Sequence, residues 1–274
     1  FIVRARNVCL SGICMKRVKK NTVAALLLVL GPVLPAWAQS DGYGAPPAQP
    51  GIEFEIGGGG NVAPRYEGAS EILVSPYPIV RLKRLTLPNG FQIGGAREGG
   101  FSVSPSFAVR GERTAADTPA LTGLKDVDLA VELGLEASYE AEWFRLHANL
   151  RRGLGGHQGW TGEAGIDVVM RPESGLKLHA GPRISYADNG YMDTYFSVPA
   201  GTAGFATFDA APGIKSWGVE AGMRFDVSEG WAVEGTAAYD RLIGDAGASP
   251  VTAVGSRDQY RIRFGVVRKF RVDF

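Results

Sequence analysis

Tyr260-Arg-Ile-Arg-Phe-Gly-Val-Val-Arg-Lys-Phe-Arg-Val-Asp-Phe274 alternates with a period of two and ends on an aromatic. One register carries Tyr260, Ile262, Phe264, Val266, Phe270, Val272 and Phe274, broken only by Arg268; the other carries Arg261, Arg263, Gly265, Val267, Lys269, Arg271 and Asp273. Such alternation makes a β-strand with one apolar and one polar face. In a soluble fold the apolar face seeks a core. In a membrane barrel it meets lipid while the polar face lines the lumen.

The opposite end of the chain sets the compartment. Arg4, Arg6, Lys16, Arg17, Lys19 and Lys20 precede any acid, and an apolar run, Thr22 to Leu34, follows. Ala36-Trp37-Ala38 then gives a small-x-small cleavage site before Gln39. This is the layout of a bacterial signal peptide, and Pro32 and Pro35 interrupt the run before it reaches the ~20 residues of a spanning helix. Met15 is the expected start of translation, with residues 1–14 upstream of it. The expected organisation is therefore 1–38 upstream segment and signal peptide, 39–50 flexible lead-in rich in Pro and Gly, and 51–274 barrel. Both cysteines, Cys9 and Cys14, fall in the removed part, so no disulfide holds the mature fold. Cleavage removes six of the 29 basic residues and none of the 28 acidic ones, leaving a net charge of −5. That balance does not describe a nucleic-acid surface.

From Ile52 onward the sequence reads as strands and turns, with no helix-period segment of useful length. Over 127–139, Val127, Leu129, Val131, Leu133, Leu135, Ala137 and Tyr139 share one face, and Asp128, Glu132, Glu136 and Ser138 take the other. The next strand sends Phe144, Leu146, Ala148 and Leu150 outward and Arg145, His147, Asn149 and Arg151 inward. With Tyr139 set opposite Phe144, Glu132 faces Arg151 and Glu136 faces His147, pairs that leave little room for a wide bore. Further hairpins join 160–170 to 176–186 and 217–227 to 231–239. The short turns near 141, 173 and 229 read as periplasmic. The longer links at 60–71, 111–126, 152–159, 187–212 and 243–258 read as external. A closed antiparallel transmembrane barrel follows, of ten strands if 72–94 is one interrupted strand. The count is twelve if 72–82, 85–94 and 190–197 are separate. A soluble sandwich also alternates, but its interior rarely holds Glu or Arg.

Few residues suggest chemistry. His147, His157 and His179 match no zinc spacing, and no cysteine assists them. Serines are present without a local signature that joins one to a histidine, so neither a catalytic site nor a cofactor is expected. Gly57-Gly58-Gly59-Gly60 lacks the following Lys-Ser/Thr and helix of a phosphate loop. The segment 187–212 holds Asp188, Tyr191, Met192, Asp193, Tyr195, Phe196, Phe205 and Phe208. Two readings stay open: contact with a partner, or closure of the lumen.

Several stretches, in order, resemble the MipA/OmpV family (MltA-interacting protein) of outer-membrane proteins. They are Val62-Ala-Pro-Arg-Tyr-Glu-Gly68, Leu121 to Gly134, Gly155-Gly-His-Gln-Gly159, His179 to Phe196, Tyr239 to Pro250, and Gly255-Ser-Arg-Asp-Gln-Tyr260. The resemblance implies a non-enzymatic barrel in the Gram-negative outer membrane, in contact with its lipid. It also implies a scaffold that brings a murein transglycosylase (a hydrolase) and a penicillin-binding synthase together. Other members are described as adhesins. A small-solute channel and an envelope lipid hydrolase are the alternatives. Within the matched loops, Tyr66, Glu67, His157, Asp188, Tyr191, Met192, Tyr195 and Phe196 are the candidate partner contacts. The chain departs from the family pattern at Arg65 and in the tail Arg271 to Phe274, which leaves Phe270 and Phe274 as alternative assembly signals.

Overall fold

The computed structural model describes residues 49–89, 91–94 and 100–274. The expected signal peptide and nearly all of the expected lead-in lie outside those residues. Eleven strands form one antiparallel sheet: β1 (Gly51–Pro64), β2 (Ile72–Thr86), β3 (Gln92–Gly94), β4 (Gly100–Arg110), β5 (Ala130–Glu140), β6 (Phe144–Gly155), β7 (Trp160–Glu173), β8 (Leu176–Ala187), β9 (Gly213–Ser228), β10 (Trp231–Leu242) and β11 (Asp258–Asp273). The order is β3-β2-β1-β11-β10-β9-β8-β7-β6-β5-β4, so the first long strand pairs with the last, Gly51 opposite Asp273 and Val62 opposite Ile262. The two edges of the sheet, β3 and β4, follow one another in the chain, and β4 lies against β2 and β3. The sheet is thus a nearly closed barrel.

Strand direction explains the count. Each neighbour in the sheet is antiparallel, so β3 and β4 run the same way. An antiparallel ring needs an even number of positions, and β3 and β4 serve one position between β2 and β5. Among the described residues the strands number eleven, neither ten nor twelve. The segment 72–94 is not one interrupted strand: the Leu87 amide donates to the Phe91 carbonyl and turns the chain from β2 into β3. Residues 190–197 do not form a strand either. Asn189–Phe196 is a helix, α1, capped by Asp188, whose carboxylate accepts from the Tyr191 amide at 3.0 Å. That cap, a standard N-terminal device, overrides the strand propensity of its aromatics.

Alternation sorts the side chains as the period of two requires. Leu133, Leu135, Leu150, Ile166, Val168, Val219, Met223, Ile262 and Phe264 all stay exposed on the outer face. The inner face buries Glu55, Glu132, Asp167 and Arg183. A continuous exposed apolar belt is untenable in water and is what lipid solvates. Most strands run 11–16 residues, enough to cross a bilayer at a tilt. Aromatics at the strand ends, such as Trp160, Trp217, Tyr239 and Tyr260 at one end and Trp143, Phe144 and Trp231 at the other, fit interfacial girdles. No helix among the described residues is long and apolar enough to cross a membrane, which says nothing of strands.

The barrel has two unlike ends. Tight turns, at Ala141–Trp143, Ser174–Gly175 and Glu229–Gly230, share one end with the β1 start and the β11 end. Gly175 and Gly230 sit at φ 83° and 78°, where a side chain would be strained. The other end carries links 65–71, 111–129, 156–159, 188–212 and 243–257. The link expected over 152–159 is half strand, since β6 continues to Gly155. The β5–β6 hairpin is also wider than expected. The Ala141 amide bonds the Phe144 carbonyl, and Trp143 packs edge-on to Phe144 at 4.9 Å. The register therefore slips by two, and Tyr139 faces Leu146 rather than Phe144.

Candidate functional site

At the loop end, α1 turns its aromatic face down into the barrel mouth. Tyr191 and Tyr195 are one turn apart, as are Met192 and Phe196, and all four are buried. They pack with Val127, Ala187, Ala210, Leu242 and Ala246, the last on α2 (Gly244–Ala248). A second cluster joins Tyr66, Ala69, Leu121, Val198 and Val251, the last on α3 (Pro250–Ala253). Val127, assigned to the lipid face by its register, belongs to this mouth packing because β5 begins only at Ala130. Ser249 ties the layers: its hydroxyl donates to the Phe196 carbonyl at 2.6 Å.

Polar bonds bolt this plug to the wall. The Tyr191 hydroxyl and the Lys215 ammonium both bond Glu67. Arg113 donates to the Tyr195 carbonyl at 2.6 Å. Burial alone would raise the Glu67 carboxyl, but Lys215 and Arg110 outweigh it and hold the group below the ordinary range. Burial lifts the Tyr191 phenol well above its ordinary value and pushes Tyr195 up to about 12, so both stay neutral, and Tyr191 donates to Glu67.

Beneath the plug, Glu132 is fully buried and gathers Arg110 at 2.9 Å, Arg151 at 3.1 Å, His157 at 3.3 Å and the Thr161 hydroxyl at 3.2 Å. Gly153 makes this possible: a Cβ there would lie 2.2 Å from the His157 ring. Midway down, Asp167 holds Arg145 and Arg183, each at 2.7 Å, with His147 at 3.8 Å. Glu220 meets Arg183, Arg261 and His179 at 3.3, 3.7 and 3.8 Å. Toward the turn end, Glu55 on β1 pairs with Arg224 on β9 at 2.7 Å, and Arg81 on β2 with Glu234 on β10 at 2.6 Å. Each of these last pairs spans three steps of the ring, so it is a chord across the bore. Ile79, Ala232 and Val267 form a small apolar cluster inside the wall.

The expected lumen pairs divide. Glu132–Arg151 forms, although the slipped register places Glu132 opposite Gly153 and the pair meets diagonally. Glu136–His147 does not: Glu136 faces Asn149, and His147 turns to Asp167. The candidate partner contacts are mostly interior. Tyr66, His157, Tyr191, Met192, Tyr195 and Phe196 are buried, Glu67 is tied to Lys215, and Asp188 caps α1. They build the closure, because an aromatic face on a capped helix is most stable against other apolar surface. Sequence reasoning missed Asp167 as the central carboxylate, and its inward register on β7 was the available signal. Phe270 stacks on Phe54 at 5.4 Å in the β1–β11 seam, and Phe274 lies beyond the last strand residue, exposed.

Among the described residues, no hydroxyl bonds any of the three histidines, and no group of three His, Cys, Asp or Glu side chains suits a metal ion.

The exposed apolar belt, polar interior and capped mouth define an integral outer-membrane β-barrel protein of the bacterial envelope. The family model described as MltA-interacting protein MipA matches residues 56–270, and the chain belongs to that family. No match is found among curated protein sequences. Among solved structures, the COG4313 outer membrane channel from Pseudomonas putida F1 is 13% identical, covering 85% of this chain and 99% of that one, with a TM-score of 0.45. Neisserial surface protein A is 14% identical, covering 62% and 97%, with a TM-score of 0.32. A de novo designed transmembrane β-barrel is 11% identical, covering 64% and 98%, with a TM-score of 0.31.

Proposed function

We propose that this barrel works through its surface rather than its bore, as a scaffold that holds peptidoglycan-remodelling enzymes at the outer membrane. A murein transglycosylase and a penicillin-binding protein are the partners this reading implies. The family's description as MltA-interacting supports it. The observation that carries it is the closed mouth: α1 lays Tyr191, Met192, Tyr195 and Phe196 over the lumen, and paired charges fill the space below. A barrel built this way has little use for its interior as a passage. By the rule that short turns face the periplasm, the turn end is the surface offered to murein enzymes. It presents Phe91 and Trp143, both exposed.

Crosslinking in intact envelopes tests the reading. Affinity-tagged protein should enrich a murein hydrolase or synthase over an unrelated barrel of similar size. Equal recovery from both barrels would end the scaffold reading.

A further inference from the structure

Nearly every inward-facing acid of the lumen wall has a basic partner within 4 Å, with two exceptions on the strands that flank β6. Glu136 on β5 and Glu163 on β7 have no ion pair among the described residues. The register sets Glu136 beside Asn149 and Asn149 beside Glu163. The same row continues outward to Ser104 on β4 and Ser185 on β8. Five strands thus present five oxygen-bearing side chains at one level, with no cationic side chain in the row. None of the five has a hydrogen-bond partner among the described residues. Asn149 is the sharpest case: the residue is only 9% exposed, and its Oδ1 is buried without a donor. A buried amide oxygen left unsatisfied is destabilising. Two carboxylates flanking it add like-charge repulsion.

The cations nearest the row are engaged elsewhere. Arg151, in the row toward the mouth, is held by Glu132, and Arg145 and Arg183, toward the turns, by Asp167. His147 also faces Asp167. What remains is a patch of carboxylate and amide oxygens on a rigid wall, facing the lumen. Neighbouring strands lie about 4.8 Å apart, and glutamates on either side of Asn149 are long enough to converge over it.

We propose that Glu136, Asn149 and Glu163 bind one hard divalent cation of the calcium type in the lumen. Calcium takes about 6–8 oxygen ligands in flexible geometry, and carboxylates bind it one- or two-handed. Two glutamates and an amide oxygen supply the core of that set, with water completing it. Zinc prefers nitrogen and sulfur donors, which this row lacks. The site ties β5, β6 and β7 together just below the mouth.

The test uses the full chain folded in detergent micelles and stripped with a chelator. Calorimetric titration with calcium chloride should show one saturable site per chain. The double variant Glu136→Gln/Glu163→Gln should weaken it at least about tenfold, as loss of ligand charge does. Glu142→Gln, in an exposed turn, should leave it unchanged. Calcium should also raise the unfolding temperature of the parent protein and not of the double variant, with heat-modifiable gel migration confirming that both are folded. No saturable heat with the parent would overturn the proposal. So would equal affinity in the double variant, or binding of methylammonium chloride in place of calcium.

Discussion

Glu132 shows how one carboxylate can organise a barrel interior. It is buried, and two arginines, a histidine and a threonine converge on it. A buried ion pair adds little net stability, but removing one partner strands the others. The expected cost is about 3–5 kcal/mol. Glu132→Ala should therefore lower the denaturant midpoint clearly in urea titrations of the folded barrel, and unchanged unfolding would contradict the network. Glu67 behaves differently because it sits in a link outside the membrane wall. Its carboxyl lies below the ordinary 4.5 in the folded protein, chiefly because Lys215 and Arg110 overcome burial. The folded state then binds fewer protons than the unfolded chain. Its stabilisation is present above pH 4.5 and is lost as pH falls below that value. Thermal melts should show Glu67→Gln less stable than the parent at neutral pH, with the gap closing in acid. A gap that widened in acid would reverse the sign of this argument.

At the scale of elements, α1 is the part whose removal should change behaviour most. Its aromatic face closes the mouth, held there by packing and by the Tyr191–Glu67 and Arg113–Tyr195 bonds. Tyr191→Ala removes the hydroxyl on Glu67 and the centre of the aromatic stack. Planar-bilayer recordings should show rare or no steps for the parent and frequent brief openings for Tyr191→Ala combined with Tyr195→Ala. Silence in both would place the seal elsewhere, among the paired charges below. The β1–β11 seam is a second such element. Phe54 and Phe270 stack across it, and Arg268 lies over both Trp231 and Phe270. We propose Phe270 as the assembly aromatic, because it is built into the closing pair while Phe274 lies beyond it. Phe270→Ala should slow barrel assembly, read as folded fraction on unheated gels, more than Phe274→Ala does. The opposite order would assign the role to Phe274.

The whole molecule was legible in its local patterns and illegible in its long-range ones. Alternation in Tyr260–Phe274 and around Leu133 and Leu150 identified the wall, and the breaks between alternating runs marked the turns near 173 and 229. These signals are carried by adjacent residues. The slip at Ala141–Phe144 was not legible, because it depends on how Trp143 packs against Phe144. Nor was α1, whose helix depends on the Asp188 cap and on aromatic partners from distant links. The chords Glu55–Arg224 and Arg81–Glu234 join residues more than 150 positions apart. Only closure of the ring brings them together. The central claim is that the apolar register of β11 faces lipid and its basic register faces the lumen. Spin labels placed singly from position 260 to 270, with Cys9 and Cys14 replaced, test it in reconstituted bilayers. Oxygen accessibility should oscillate with a period of two, with maxima at 260, 262, 264 and 266. A flat profile, or maxima at 261, 263 and 265, would contradict it.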